Sequence, residues 1–148
     1  MTDTILLTCT IPGAPQQQGS KNRGGNGSMY EANRDLEPWR AVAIMCLRAA
    51  RARWDAPESY NGGVSVAAQF VFPRPKGHYR TGQYAAELRA DAPRYKTTAP
   101  DLDKLERALG DALTQAGVLR DDALIAAWRP EKIYGPTPET RVTVRRLP

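Results

Sequence analysis

The segment from Leu102 to Ala116 limits what this chain can fold into more than any other. Leu102, Leu105, Leu109, Ala112, Leu113 and Ala116 recur at helical spacing and predict one apolar stripe. Gly117 is placed to cap the end of that helix. Asp101 and Asp103 stand at its start, and a paired aspartate, Asp121-Asp122, follows after a short link. Acidic groups gathered in this way repel one another. Two unit charges about 4 Å apart at an effective dielectric near 20 cost about 4 kcal/mol, and a divalent cation removes that cost. The rest of the chain is basic: 21 Lys and Arg against 16 Asp and Glu, a net charge of +5. Acid set into a basic surface suits a metal-dependent enzyme acting on a polyanion.

The remaining elements follow from spacing. Residues 4–11 read as a β-branched, apolar strand, and 13–34 as a mobile Gln-, Gly- and Asn-rich loop carrying Lys21 and Arg23. Asp35 caps a second helix with Pro38 in its first turn. Its expected core stripe is Trp39, Val42, Met45, Cys46 and Ala49, with Arg40, Arg48 and Arg51 on or beside the opposite face. Asn61-Gly62-Gly63 turns the chain into an alternating strand whose Val64, Val66, Ala68, Phe70 and Phe72 point one way. Residues 73–100 form a long loop rich in Pro, Arg and Tyr. Residues 125–134 predict a strand at an edge or with a bulge, because of Pro130, and 140–147 a last strand. The order β-α-β-loop-α-β-β predicts an α+β fold: a small mixed four-stranded sheet with two main helices on one face. The whole chain, 1–148, is expected to be one domain, with 13–34 and 73–100 as long flexible loops.

Cys9 and Cys46 lie far apart in apolar runs, so they read as reduced core residues and not as a disulfide or zinc site. No run approaches the roughly 18 apolar residues of a membrane span. The N-terminus lacks the pattern of a signal peptide. The expectation is a soluble, cytoplasmic protein with no membrane partner.

Asp101 and Asp103 straddle Leu102, whose side chain must enter the core, so their carboxylates flank it. A single aspartate here would be an ordinary helix cap. Asp121-Asp122 needs more than that. A return of the chain can bring Asp122 beside Asp101 and Asp103 as oxygen ligands for Mg²⁺, with Asp121 assisting. Arg107 lies one turn after Asp103, either in a surface ion pair or as a fixed cation near a phosphate. Lys104 could serve instead, and Asp111 reads as structural. Upstream, Arg74, Lys76, His78, Arg80, Arg89, Arg94 and Lys96 interleave with Tyr79, Tyr84 and Tyr95. Cations for phosphates and aromatics for unpaired bases suit branched DNA, with Lys21 and Arg23 as further contacts. The bland alternative is a solvated loop. His78 has no second histidine to share a metal, so it reads as a phosphate contact or a bystander. Arg48, Arg51 and Arg53 read as a solvated face, and Trp39, Trp54 and Trp128 as core or interface residues.

The run PDLDKLERALGDALTQAGVLRDDALI resembles the signature of the RusA family of Holliday junction resolvases: DLDN, a lysine, DAL, then paired aspartates. The match is close over residues 99–134 and looser over GAPQQQGSK and FPRPKGHY. The resemblance implies a homodimeric endonuclease of bacterial or phage origin. It would use Mg²⁺, with Mn²⁺ as a substitute, and nick four-way DNA junctions symmetrically during recombination or repair. The family's catalytic aspartates fall on Asp101, Asp103 and Asp122. Its asparagine after DLD is Lys104 here, and its lysine is Arg107, which keeps the charge but does not readily release a proton. Two rival readings remain: a non-catalytic branched-DNA-binding protein of the same fold, and a phosphodiesterase for small nucleotides.

Overall fold

Alternating apolar residues in 64–72 and 139–146 demand a sheet with one face inward, and the computed structural model shows how it forms. The structure describes residues 4–19, 21–23, 29–31 and 33–148, with backbone alone at 21–23 and 29–31. In chain order the elements are β1 (Ile5–Pro12), β2 (Lys21–Arg23), β3 (Met29–Glu31), α1 (Leu36–Arg53), β4 (Val64–Phe72), α2 (Leu102–Gln115), β5 (Ile125–Tyr134) and β6 (Glu139–Arg146). The main sheet has the order β1-β6-β4-β5. β6 runs antiparallel to both β1 and β4, whereas β5 runs parallel to β4. A parallel pair needs a crossover, and α2 supplies it. β5 is therefore an edge strand, which is where Pro130 can sit without losing a ladder bond. The expected α+β architecture with a mixed four-stranded sheet is present.

Val64, Val66, Ala68, Phe70 and Phe72 all face the helices and are buried. So are Leu105, Leu109, Ala112, Leu113 and Ala116 of α2. Burial of each large aliphatic side chain contributes about 1.5–3 kcal/mol, so this interface anchors α2 on the sheet. Gly117 ends the helix with a positive φ of 74°.

Three expectations need correction. Within 13–34, which reads as a loop, Lys21–Arg23 and Met29–Glu31 pair as an antiparallel ribbon. Residues 24–28 of that predicted loop lie outside the described residues. The core stripe of α1 is Leu36, Trp39, Ala43, Leu47 and Ala50, while Val42 and Met45 are exposed, Met45 at 71%. Apolar residues surround most of this helix, so spacing alone does not choose the buried stripe; the sheet chooses it. Arg40 is also not an outward residue. Its side chain is only 14% exposed and joins Glu37 at 2.8 Å, Gln18 at 3.0 Å and Asp111 at 4.0 Å. Asp111 thus ties α2 to α1, the structural role expected of it.

The 73–100 segment carries more structure than its composition suggests. Short 3-10 turns form at Lys76–His78 and Gly82–Tyr84, Tyr79 bridges to Leu88, and Tyr95 bridges to Ile133. Both cysteines are free thiols. Burial first, and the neighbouring Cys46 second, push the Cys9 thiol up to about 11, with Arg53 opposing.

Thr140 is fully buried between Ile11 and Phe70, and its hydroxyl has no hydrogen-bond partner. Thr140→Val keeps the branched shape and removes a polar atom without a partner. It should stabilise the fold by about 1 kcal/mol, read as a rise in the midpoint of thermal unfolding.

Candidate active site

The outward face of α2 is set by the inward one. With Leu105, Leu109 and Ala112 fixed in the core, Asp103, Glu106, Arg107 and Gly110 share another side of the helix at spacings of three and four. Together with Asp122, Ile125 and Trp128 they line a cavity of about 200 Å³ where α2 meets the start of β5. Asp122 packs directly over Gly110, where there is room for a methyl group and no more. A Cβ built on Gly110 would already lie 3.7 Å from the Asp122 Cβ and 3.8 Å from its Oδ2.

The paired aspartates do different things. Asp121 accepts a hydrogen bond from the Ala123 amide at 2.8 Å and caps the short 3-10 turn Asp122–Leu124. That bond, and one with Asp122, hold its carboxyl below the usual aspartate value. Asp122 is pushed the other way, by desolvation first, then by its hydrogen bond with Asp121 and by the charges of Asp111 and Asp121. Glu106 is likewise raised, by burial and then by Asp103. Among the described residues none of Asp103, Glu106 and Asp122 makes an ion pair, although Arg107 lines the same cavity.

The structure does not gather every expected residue in the cavity. Asp103, Asp122 and Arg107 line it; Asp101 and Lys104 do not. Asp101 precedes α2 in extended conformation without capping it by a side-chain bond, and pairs with Lys104 at 3.7 Å. Arg107 makes no ion pair among the described residues, so its charge is free to meet a ligand. Among the described residues no three acidic, histidine or cysteine side chains stand close enough to hold a metal ion as placed.

Of the expected DNA contacts, Lys76 is exposed without a partner in the described residues. Arg74, His78, Arg80 and Lys96 are engaged within the fold. Arg74 donates to the Pro93 carbonyl at 2.7 Å and lies over the Tyr134 ring. His78 meets Tyr134 edge-on at 4.8 Å. Arg80 stacks on Tyr84 at 4.1 Å and pairs with Glu87 at 2.7 Å. Lys96 binds the Thr98 hydroxyl at 2.9 Å and sits over Phe72 and Tyr134. The side chains of Lys21 and Arg23 lie outside the described residues. A larger cavity, about 780 Å³, lies along Arg80, Tyr84, Leu88 and Asp91, but with a single carboxylate it lacks the chemistry of the smaller one.

Sequence reasoning missed Glu106, Trp128 and Lys132. Glu106 was findable, since it follows Asp103 by three helical positions. Lys132 donates to the carbonyls of Thr98 and Pro100, each at 2.8 Å, and so fixes the approach to α2 beside Asp101. Desolvation and Lys96 lower its pKa, with Asp101 opposing. No motif marks it, because its partners are backbone atoms 32 and 34 residues away.

A family model described as Endodeoxyribonuclease RusA matches residues 12–145. No curated protein matches the chain.

The Gly110 contact can be tested directly. Gly110→Ala puts its methyl at ordinary contact distance and should add about 0.5–1 kcal/mol of helix stability. Gly110→Leu should drive Asp122 and Ile125 off the helix and lower the unfolding midpoint. A Leu variant as stable as the wild type would show that the contact does not constrain Asp122.

Proposed function

The chain belongs to the RusA endodeoxyribonuclease family, and from that premise we propose that it resolves four-way DNA junctions by paired symmetric nicks, as a Mg²⁺-dependent homodimer in the cytoplasm. The observation that carries this reading is the meeting of Asp103, Glu106, Asp122 and Arg107 around one cavity in an otherwise basic protein.

The donor chemistry fits Mg²⁺, with Mn²⁺ as a substitute. Mg²⁺ takes oxygen ligands, keeps several waters and commonly uses one or two carboxylates together with substrate phosphate. Asp103 and Asp122 would hold it, and Asp101, next to the cavity at the mouth of α2, is the third aspartate of the motif. When bound, the ion would supply an activated water and stabilise the attacking and leaving oxygens of an in-line displacement. The protein's own groups do the rest. Asp121 holds the turn that presents Asp122. Arg107 places a permanent cation beside the scissile phosphate and offsets the charge that develops there. Arginine cannot readily shuttle a proton, so this role is electrostatic. Lys104, released from Asp101, supplies a second cation. Lys76, with Arg80 and Lys96 behind it, extends the cationic surface toward the junction arms. A four-way junction has two-fold symmetry, and an isologous dimer supplies two matching sites.

The test is a synthetic immobile four-way junction incubated with and without Mg²⁺, with the nicks mapped. Asp103→Asn and Asp122→Asn should each reduce cleavage to background, while junction binding stays equal or tightens because carboxylate–phosphate repulsion is lost. Wild-type protein that binds the junction but never cuts it would leave the non-catalytic branched-DNA binder as the correct reading.

Acid should also be informative. Asp122 and Glu106 have raised pKa values in the free protein, so they retain protons at a pH where ordinary carboxylates are ionised. Protonated carboxyls do not bind cations. Mg²⁺ affinity should therefore rise with pH through a range above the usual carboxylate values, about 3.9–4.3, and fall away below it. Asp122→Asn should flatten that dependence in a calorimetric titration with Mg²⁺.

A further inference from the structure

The helices cover one face of the main sheet; the other is covered at its Val71–Ile133 end and open over the rows from Ser65 to Gln69, and that open part is built to a pattern. Ala67 of β4 pairs with Thr143 of β6 on one side and Arg129 of β5 on the other. The rows on either side place Arg145 beside Ser65 and Arg141 beside Gln69. The result is a shallow trough of about 370 Å³ in which small side chains, Ala67 and Thr143 among them, lie between the three arginines. With about 3.3 Å per residue along a strand and about 4.8 Å between strands, the arginines stem from the corners of a triangle with sides of about 10–13 Å.

The charges on this face are not balanced internally. Arg141 is held by Glu139 and by Gln69 at 3.3 Å. Glu131, the acid on the same face, is held by Gln69 at 2.7 Å and faces Arg94 at 3.8 Å. The side chains of Arg129 and Arg145 are exposed and make no ion pair or hydrogen bond among the described residues. A protein partner would want a large apolar or aromatic anchor, and this floor offers none. A polyanion needs what is here: unpaired guanidinium groups around small residues that let a backbone come close. One duplex strand carries a phosphate about every 3.4 Å along the axis, so a span of 10–13 Å meets three or four of them. Placement adds to this. Trp128 lines the catalytic cavity, and Arg129, the next residue of the edge strand, stands on the opposite face of the sheet. One strand therefore presents both surfaces to a ligand that passes the sheet edge.

We propose that the open sheet face is a second DNA-docking surface, at which Arg129 and Arg145, with Arg141, hold the sugar–phosphate backbone of a duplex arm that is not being cut. The inference rests on the endonuclease reading above and adds a surface that the sequence motif does not contain. Its recognition is of charge and backbone and carries no base preference.

The experiment compares the full-length protein with Arg129→Gln/Arg145→Gln and with Arg129→Lys/Arg145→Lys. Binding of a labelled four-way junction is followed by anisotropy in EDTA over a range of salt concentrations. The Gln pair should weaken binding and reduce the log–log salt slope by about 2 for each protomer that holds an arm, about 4 for the homodimer, since each lost phosphate contact removes about 0.9. The Lys pair should restore the slope. Nicking of the junction at saturating protein with Mg²⁺ should stay within about twofold of wild type, because neither residue touches the catalytic cavity. Unchanged thermal midpoints would show that the variants are folded. Wild-type binding with the same slope in the Gln pair overturns this surface alone. Failure of the wild type to bind any junction overturns both this surface and the functional reading. A Gln pair that changes the mass in solution but not the slope would make the face a contact between two copies, which also overturns the proposal.

Discussion

The site depends on the contact between Gly110 of α2 and Asp122 at the entry to β5. The two segments come together because the apolar stripe of α2 is sealed against the sheet, with Leu105, Leu109 and Leu113 fully buried. A residue larger than alanine at position 110 would hold the turn away and separate the aspartate pair from the helix. Burial of one helical face thus fixes, through a residue with no side chain, how far Asp122 lies from Asp103. Hydrophobic free energy, which has no direction of its own, becomes positional accuracy once it acts through close-packed elements.

The same arrangement explains the electrostatics. Asp103 and Glu106 are brought together by helical periodicity, and Asp122 is added by the crossover from α2 into β5. Burial and then Asp103 raise the Glu106 carboxyl, and burial followed by Asp121 and Asp111 raises that of Asp122, so the crowding carries an electrostatic cost. Asp121 offsets part of the cost by capping the turn, and Lys132 anchors the carbonyls that lead into α2. Apart from Gly110, which does both, the residues that hold the geometry are distinct from those that face the cavity.

Much of the site was legible in the residues themselves. The helix over 102–115, Gly117 as its stop, the strands at 64–72 and 125–134, and Arg107 one turn from Asp103 follow from spacing, whereas Asp122 beside Asp103 was a possible return of the chain that the family resemblance singled out. Glu106 follows by the same rule of three. The stripe of α1 did not, because alanines and larger apolar residues occupy nearly every side of that helix, and periodicity cannot choose between two apolar faces. The 73–100 segment was unreadable for a different reason. Its order comes from Arg74, His78 and Lys96 gathering on Tyr134, which lies 38 to 60 positions further along the chain.

By itself the sequence determined which residues are acidic, which stripe of α2 is apolar, and the order in which the elements follow, because those properties are local and periodic. Only the tertiary structure decided that Asp101 turns toward Lys104 while Asp103 faces Asp122, that three arginines share an uncovered sheet face, and that Lys132 binds the carbonyls before α2. The Asp101–Lys104 pair is local, three positions apart, but the others depend on strand register and on which faces the core consumes. Those are settled by long-range contacts that no window of the sequence contains.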